Sequence, residues 1–345
     1  MEVLMACAEL APIVRATSVA DSVAALAKTL SRLEHQVTVV IPKYPAVDEA
    51  GLMMARRLTP IRFEVGDETV EATQFDARLG SGVELMVIDI PDLYDGDEIY
   101  TGTDADAKRF GLFSRAVDEL VRMREEAGTG FDAVHAHGWP AALVPFLLSA
   151  RKRGDGLEVR TVLTVHDASN TGRFPKSAVD DIGLSWDDFH PDGLEFYGDL
   201  CLMKAGAITA DVVTTVSPTY ADEIREGGGG GLEGVYRARG ASLVGILHGI
   251  DYSRWSPATD PHLPSHYDAE AAANKGRCKA ALLNELDMPL EPDRPLIVAL
   301  GPIDEQHGSD VLARSVAGIT RTGARLVIAG EGEEALERLC DDAAQ

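Results

Sequence analysis

Three histidines are the side chains best placed for chemistry in this sequence. His135 and His137 alternate in Val134-His135-Ala136-His137, and His166 closes Thr164-Val165-His166-Asp167. An imidazole titrates near neutrality and can donate or accept a proton. His137 and His166 close short apolar runs and His135 lies within one, and all three are expected at the C-terminal ends of parallel strands, where open α/β sheets bind ligands. The same positions equally suit hydrogen-bonded scaffold histidines, and residue type alone leaves both readings open. A second feature is the loop Pro12–Thr17, which carries the cation Arg15. Ser18 and Asp21 approximate a capping box, so a helix is expected to begin near Ser18 and to point its positive end at that loop. The loop is therefore an expected anion site. Glu233-Gly234 and Gly330-Glu331-Gly332 are short loop phrases of low information. No Ser-His-Asp order, HExxH pair or Walker A sequence is present, which leaves hydrolase, zinc-protease and P-loop chemistry without support.

The elements that must hold these residues are written in a recurring pattern. Short runs rich in β-branched residues occur at Val3–Ala8, Val37–Ile41, Leu85–Ile90, Ala133–Ala136, Val162–Val165, Val212–Val216 and Val244–Leu247, with helical segments between them. Runs apolar throughout, rather than alternating, indicate parallel strands covered on both faces. Val19, Val23, Leu26, Leu30 and Leu33 form one helical stripe between the first two runs, giving a β-α-β unit. Ile61–Gln74 reads as an inserted hairpin, Leu93–Thr103 as a loop, and the glycine run Gly227–Gly231 as a mobile surface loop. From Trp255 to about Pro292 the chain becomes rich in Pro, Asp and Ala, with a helical piece at Ala269–Leu286, as suits a connector. Leu296–Leu300 and Leu326–Ala329 then flank a helical segment Ser309–Thr320, the start of a second β-α-β unit. The fold class is α/β: a Rossmann-like N-terminal domain over 1–252, a connector over 253–291, and an incomplete C-terminal Rossmann-like domain over 292–345.

Composition excludes several classes. Hydrophobic residues make up 45% and charged residues 26% of the 345-residue chain, as in ordinary globular proteins. No apolar run approaches the ~18 residues that would cross a bilayer. Asp and Glu outnumber Lys and Arg by 56 to 32, for a net charge of −24, a field that repels nucleic acid and anionic lipid. The expectation is no nucleic-acid partner, no membrane and a cytoplasmic location, because the N-terminus lacks a basic region and a cleavage site. Cys7, Cys201, Cys278 and Cys340 are far apart without a CxxC pair, so neither a metal site nor a disulfide framework is expected, and no cofactor is implied.

Several phrases together resemble the bacterial glycogen synthase and plant starch synthase family. They are Cys7-Ala8-Glu9-Leu10-Ala11-Pro12, Val134-His135-Ala136-His137-Gly138-Trp139, Thr164-Val165-His166-Asp167, Leu194-Glu195-Phe196, Lys204-Ala205-Gly206, Val216-Ser217-Pro218-Thr219-Tyr220-Ala221, Gly231-Leu232-Glu233-Gly234 and His248-Gly249-Ile250-Asp251. The match runs from residue 1 to about 334. The resemblance implies two facing Rossmann-like domains of GT-B type and transfer of glucose from ADP-glucose to an α-1,4-glucan. By family position, Arg15, Thr17, Ser18, His137, His166, Gly249 and His307 are implied at the donor. His135, Trp139, Asp167, Glu233 and Gly234 are implied at the acceptor or lining the cleft, with Lys204 and Glu195 as structural or acceptor-side contacts.

The departures from the family pattern bear on activity. The family's Lys-Thr-Gly-Gly-Leu loop is Arg15-Ala16-Thr17-Ser18-Val19 here, which places Cβ atoms where glycines belong; a positive φ is expected to be costly at the β-branched Thr17. In the segment that resembles the family's diphosphate clamp, Pro302 stands for arginine and His307 for lysine, with Asp304 and Glu305 adding negative charge. Asp-Asn-x-x-Arg-Phe becomes Ala105-Asp106-Ala107-Lys108-Arg109-Phe110, leaving Asp104 or Asp106 as substitutes for the lost aspartate. The family's C-terminal glutamate and Thr-Gly-Gly would fall past Gln345, so the chain is expected to be C-terminally truncated. The resulting expectation is a glucosyltransferase by family that is impaired or inactive as this chain. The alternative is a non-catalytic paralogue that binds glucan or a partner subunit, and a third reading gives Arg15 and His307 a new phosphate grip.

Overall fold

The structure is a computed structural model that describes residues 1–344. The chain divides into two compact units, Met1–Gly249 and Ile250–Gln345. In the first unit the strands are β1 (Glu2–Ala6), β2 (Gln36–Pro42), β3 (Ala55–Arg56), β4 (Ile61–Val65), β5 (Glu68–Arg78), β6 (Glu84–Asp89), β7 (Ala133–His137), β8 (Arg160–Val165), β9 (Arg173–Pro175), β10 (Glu195–Phe196), β11 (Asp199–Cys201), β12 (Val212–Thr215) and β13 (Leu243–Gly245). Its helices are α1 (Ser18–Arg32), α2 (Pro45–Glu49), α3 (Ala105–Glu126), α4 (Gly138–Ala141), α5 (Leu143–Gly154), α6 (Ala178–Ile182), α7 (Leu202–Thr209), α8 (Pro218–Glu226) and α9 (Glu233–Ala238).

The main sheet runs β13-β12-β8-β7-β1-β2-β6-β5-β3, and β4 pairs with β5. From β13 to β6 all neighbours are parallel, whereas β5 joins antiparallel to β6. The order explains the composition of the strands: Leu4, Met5, Val39, Val40, Val134 and Leu163 are fully buried because helices cover both faces. It also locates the site. The chain leaves β1 toward β2 and β6, then returns on the other side of β1 through β7, β8, β12 and β13. The direction of winding therefore reverses between β1 and β7, and the loops leaving these strands diverge there to open a crevice. Register places Met5 opposite His135 and His137 opposite Thr164, so the histidines of β7 lie at that switch point.

Three close approaches fix neighbouring elements. A Cβ on Gly206 of α7 would lie 2.2 Å from the carbonyl oxygen of Ala142, so glycine lets α7 pack directly on the chain between α4 and α5. The glycine run is also tightly packed rather than a loose surface loop. At Gly230 (φ +62°) a Cβ would meet the Ala168 carbonyl oxygen at 2.1 Å, and at Gly231 (φ +88°) it would meet the Phe196 ring at 3.0 Å.

The expected hairpin at Ile61–Gln74 forms as β4 and β5, though β5 continues to Arg78 and joins the main sheet. The expected strand Val244–Leu247 is shifted and shorter. It ends at Gly245, and Ile246 and Leu247 are exposed.

In the second unit, helix α10 (Lys275–Glu285) precedes β14 (Leu296–Leu300), α11 (Ser309–Arg321), β15 (Arg325–Ala329) and α12 (Glu334–Ala344). β14 and β15 form a two-stranded parallel sheet.

Candidate functional site

The loop after β1 is organised by a carboxylate. Glu9 is fully buried. Its Oε2 accepts the amides of Ala16 (2.9 Å) and Thr17 (2.7 Å), while Oε1 accepts the hydroxyls of Thr17 (2.6 Å) and Tyr100 (2.9 Å). Burial, reinforced by the Glu9 charge, drives the Tyr100 phenol far above its usual range, so it stays a donor. Thr17 Oγ1 in turn accepts the amide of Val19 at 3.1 Å and caps α1. The helix begins at Ser18 as its spacing suggests, but the cap is Thr17. The expected strain at Thr17 is also corrected. Its φ is −130° and ψ 177°, extended backbone that a β-branched residue adopts readily. The expected anion site is thus occupied from inside, two of its amides being taken by Glu9. Arg15 pairs with Asp21 in the first turn of α1 at 2.7 Å.

Four imidazoles stand in a row across the ends of the parallel strands. The His135 and His137 rings are 4.0 Å apart, those of His137 and His166 5.4 Å, and those of His166 and His248 5.7 Å. His135 Nε2 lies 2.6 Å from Thr164 Oγ1, His137 Nδ1 3.1 Å from His166 Nε2, and His248 Nδ1 3.2 Å from Ser22 Oγ on α1. Burial is the main cause that keeps the row neutral. It pushes His135 down to about 4 and His166 down to about 3, the latter aided by His248 and His135. His137 is held well below its ordinary value by burial and then by its three neighbours, and His248 is lowered by burial. His137 Nε2 makes no hydrogen bond among the described residues. A buried polar atom without a partner is a free position for a water or a ligand hydroxyl.

The side chains of the remaining sequence candidates of the first unit have partners of their own outside this row. Trp139 is 8% exposed and packs edge-on against Phe110 at 5.0 Å, with Tyr100 and Phe174 beside it. It belongs to an aromatic cluster with Tyr100, Phe110 and Phe174. Asp167 is exposed, and its Oδ1 accepts the amide and hydroxyl of Ser169 in a tight turn. Glu233, at the start of α9, turns its carboxylate back into the glycine run and accepts the amides of Gly229 (3.1 Å) and Gly231 (3.3 Å). Amide donors, its own first among them, hold its carboxyl below the usual range. Gly234 has open space around its Cα, as does Gly249, the last residue of the first unit. Lys204 is buried in α7 and donates to the carbonyls of Pro191 and Glu195, a structural use. Asp106 accepts the amides of Thr101 and Gly102 and pairs with Arg109 at 2.7 Å. Arg109 also donates to the carbonyls of Leu93, Glu98 and Ile99, so this pair pins the loop of residues 93–103.

His307 belongs to the second unit. There it is exposed, and Asp304 Oδ1 accepts both its amide (2.7 Å) and its ring Nδ1 (2.8 Å). These bonds hold the Asp304 carboxyl below the usual range.

Glu9, Tyr100, Ser22 and His248 were not singled out by the sequence as site residues. Glu9 carries a signal in retrospect, as the sole charge between Val3 and Val14. Ser22 and Tyr100 carry none, since each reaches the site from another element. Among the described residues, no group of three or more His, Cys, Asp or Glu side chains is placed to hold a metal ion, and no helix is long and apolar enough to cross a membrane.

Comparison with known proteins gives a consistent picture. The family described as "Starch synthase catalytic domain" matches residues 2–238. The chain is 35% identical over 344 residues to a glycogen synthase of Anaeromyxobacter sp. (strain Fw109-5), covering 98% of this chain and 70% of that protein. It is 36% identical over 348 residues to a glycogen synthase of Thioalkalivibrio sulfidiphilus, covering 98% and 71%. Among solved structures, the catalytic domain of starch synthase IV from Arabidopsis thaliana, bound to ADP and acarbose, superposes with a TM-score of 0.89 at 27% identity. That match covers 99% of this chain and 71% of the plant chain.

Proposed function

The chain belongs to the glycogen synthase and starch synthase family, and from that premise we propose a glucan-binding protein whose glucosyl transfer from ADP-glucose is strongly impaired. In the reaction of this reading, the bond between the anomeric carbon and the diphosphate breaks. The 4-hydroxyl of a glucan end forms the new bond and gives up its proton, the anomeric configuration is retained, and ADP leaves. The difficulty is the negative charge gathering on the leaving diphosphate, and its stabilisation is usually the largest catalytic contribution.

The observation that carries the reading is the use of His307 and its neighbours. The segment Gly301–Gly308 offers no lysine or arginine, and its histidine is tied twice to Asp304. Each missing donor is worth roughly 10²–10³ in rate. Support also comes from the first unit, where Glu9 takes the amides of Ala16 and Thr17, and Arg15 faces Asp21. The neutral histidine row keeps hydrogen-bonding groups suited to sugar hydroxyls, His137 Nε2 foremost, with no charge to be desolvated. We place the protein in the cytoplasm, where its four free cysteines stay reduced.

Transfer of labelled glucose from ADP-glucose to glycogen tests this reading. Rates below those of a full-length family enzyme by three or more orders of magnitude support it, and comparable rates reject it.

A second reading, binding to a partner subunit, is favoured by one observation. Ile297, Val298 and Leu300 of β14 are 43%, 48% and 84% exposed, an apolar strand that another polypeptide could cover. Size-exclusion chromatography with light scattering decides it: a stable complex supports the reading, and a monomer alone counts against it.

A further inference from the structure

We propose that the tip of the β10–β11 hairpin is a further glucan-binding site, with Tyr197 as its stacking platform. The inference rests on the reading above for its ligand class, an α-1,4-glucan.

Phe196 pairs with Asp199, so Tyr197 and Gly198 form a two-residue hairpin loop with φ of +50° and +86°. Such a loop favours Asn-Gly, and a bulky side chain in the left-handed region costs on the order of 1 kcal/mol. The chain nevertheless carries a tyrosine there, 80% exposed. Its ring meets Phe196 edge-on, with centroids 4.7 Å apart and planes at 72°. Strain held at an exposed aromatic is a pointer to binding, because the fold itself is better served by Asn.

The strand register supplies the rest of the site. Phe196 and Asp199 are directly opposed, Cys201 lies two residues beyond Asp199, and Arg173 opposes Cys201. Phe196, Asp199 and Arg173 therefore share one face of the small sheet. Arg173 Nε donates to Asp199 Oδ2 at 2.7 Å, and its guanidinium lies 5.7 Å from the centre of the Phe196 ring. Both ends of this ion pair are partly exposed, 44% and 38%. Gly231 backs the Phe196 ring closely enough that a Cβ would sit 3.0 Å from it, so the ring on which Tyr197 leans is itself packed. An exposed ring that leans on Phe196, with a fork of donors and acceptors on the other neighbour of Phe196, matches a pyranose, whose C–H face stacks and whose vicinal hydroxyls hydrogen-bond. A neutral polyol also escapes repulsion by the net charge of −24.

Glycogen retardation in native gels tests the proposal on the full chain, with ADP-glucose titrated calorimetrically in parallel. Tyr197→Asn removes the ring and relieves the turn, so its melting temperature should equal or exceed that of the wild type. Its glycogen affinity should fall roughly three- to tenfold, the worth of a lost aromatic contact, while Tyr197→Phe keeps most of it. Equal retardation of Tyr197→Asn and wild type overturns the site, as does a wild type that binds no glycogen, whatever the donor does. Micromolar ADP-glucose binding together with Tyr197-dependent retardation leaves this site standing and overturns the impaired-donor reading instead.

Discussion

At the scale of residues, one threonine illustrates how the sequence both informs and misleads. Thr17 at a glycine position suggests strain, yet its backbone is extended and its hydroxyl links Glu9 to the helix cap. Thr17→Val keeps the shape and removes both bonds, so chemical denaturation should show a loss of about 1–2 kcal/mol; an unchanged midpoint would remove Glu9–Thr17 as the organiser of the loop. His137 and His166 were legible because they close apolar runs, whereas His135 lies in the middle of β7 rather than at its end; the neutrality of all three was not legible, since it comes chiefly from burial. Neutrality has a pH consequence. The unfolded chain takes up a proton at His135 near the ordinary value of 6.5, whereas the folded chain does so only at about 4. Stability is therefore full above about pH 6.5 and falls as the pH drops toward 4, by on the order of 2–3 kcal/mol through His135 alone. Denaturation midpoints at pH 6.5 and 4.5 should differ less in His135→Gln than in wild type, and equal differences would contradict the burial argument. At the clamp position, the double substitution of Pro302→Arg and His307→Lys should raise glucosyl transfer at least tenfold. No gain would count against missing cations as the cause of the proposed impairment.

At the scale of elements, the glycine run is where the sequence was least transparent. Five consecutive glycines read as slack, but Gly230 and Gly231 fold against Ala168 and Phe196, partners 62 and 35 residues away that no local pattern encodes. Gly230→Ala should cost about 2–3 kcal/mol, combining a left-handed φ with a blocked approach. Gly234→Ala, in open space on α9, should be neutral or slightly stabilising. Matching thermal shifts in the two variants would show the run to be slack after all. The parallel strands were legible because burial on both faces makes each an unbroken apolar run. Helix α3 was not, because its interior includes the buried Asp106, Arg109, Asp118 and Glu119, which break any simple stripe. The short strands β9, β10 and β11 also left no signal, since pairs of two or three residues depend on long-range register.

At the scale of the whole molecule, the order of the main sheet turns a list of motifs into a site. The winding reverses between β1 and β7, so the chain leaving β1 toward Glu9 starts beside the strand that ends in His137, and the β7–β8 pairing brings His137 to His166. The family phrases marked the residues, but strand order supplied the reason for their convergence. The net charge of −24 sets the wider field, which opposes a nucleotide diphosphate and is indifferent to a neutral glucan. The central claim is that glucan recognition persists while donor handling is impaired. Isothermal titration of the purified protein with ADP-glucose, and in parallel with maltoheptaose, tests it most directly. Measurable binding of maltoheptaose and no micromolar binding of ADP-glucose are expected, whereas micromolar binding of ADP-glucose would overturn the proposed impairment.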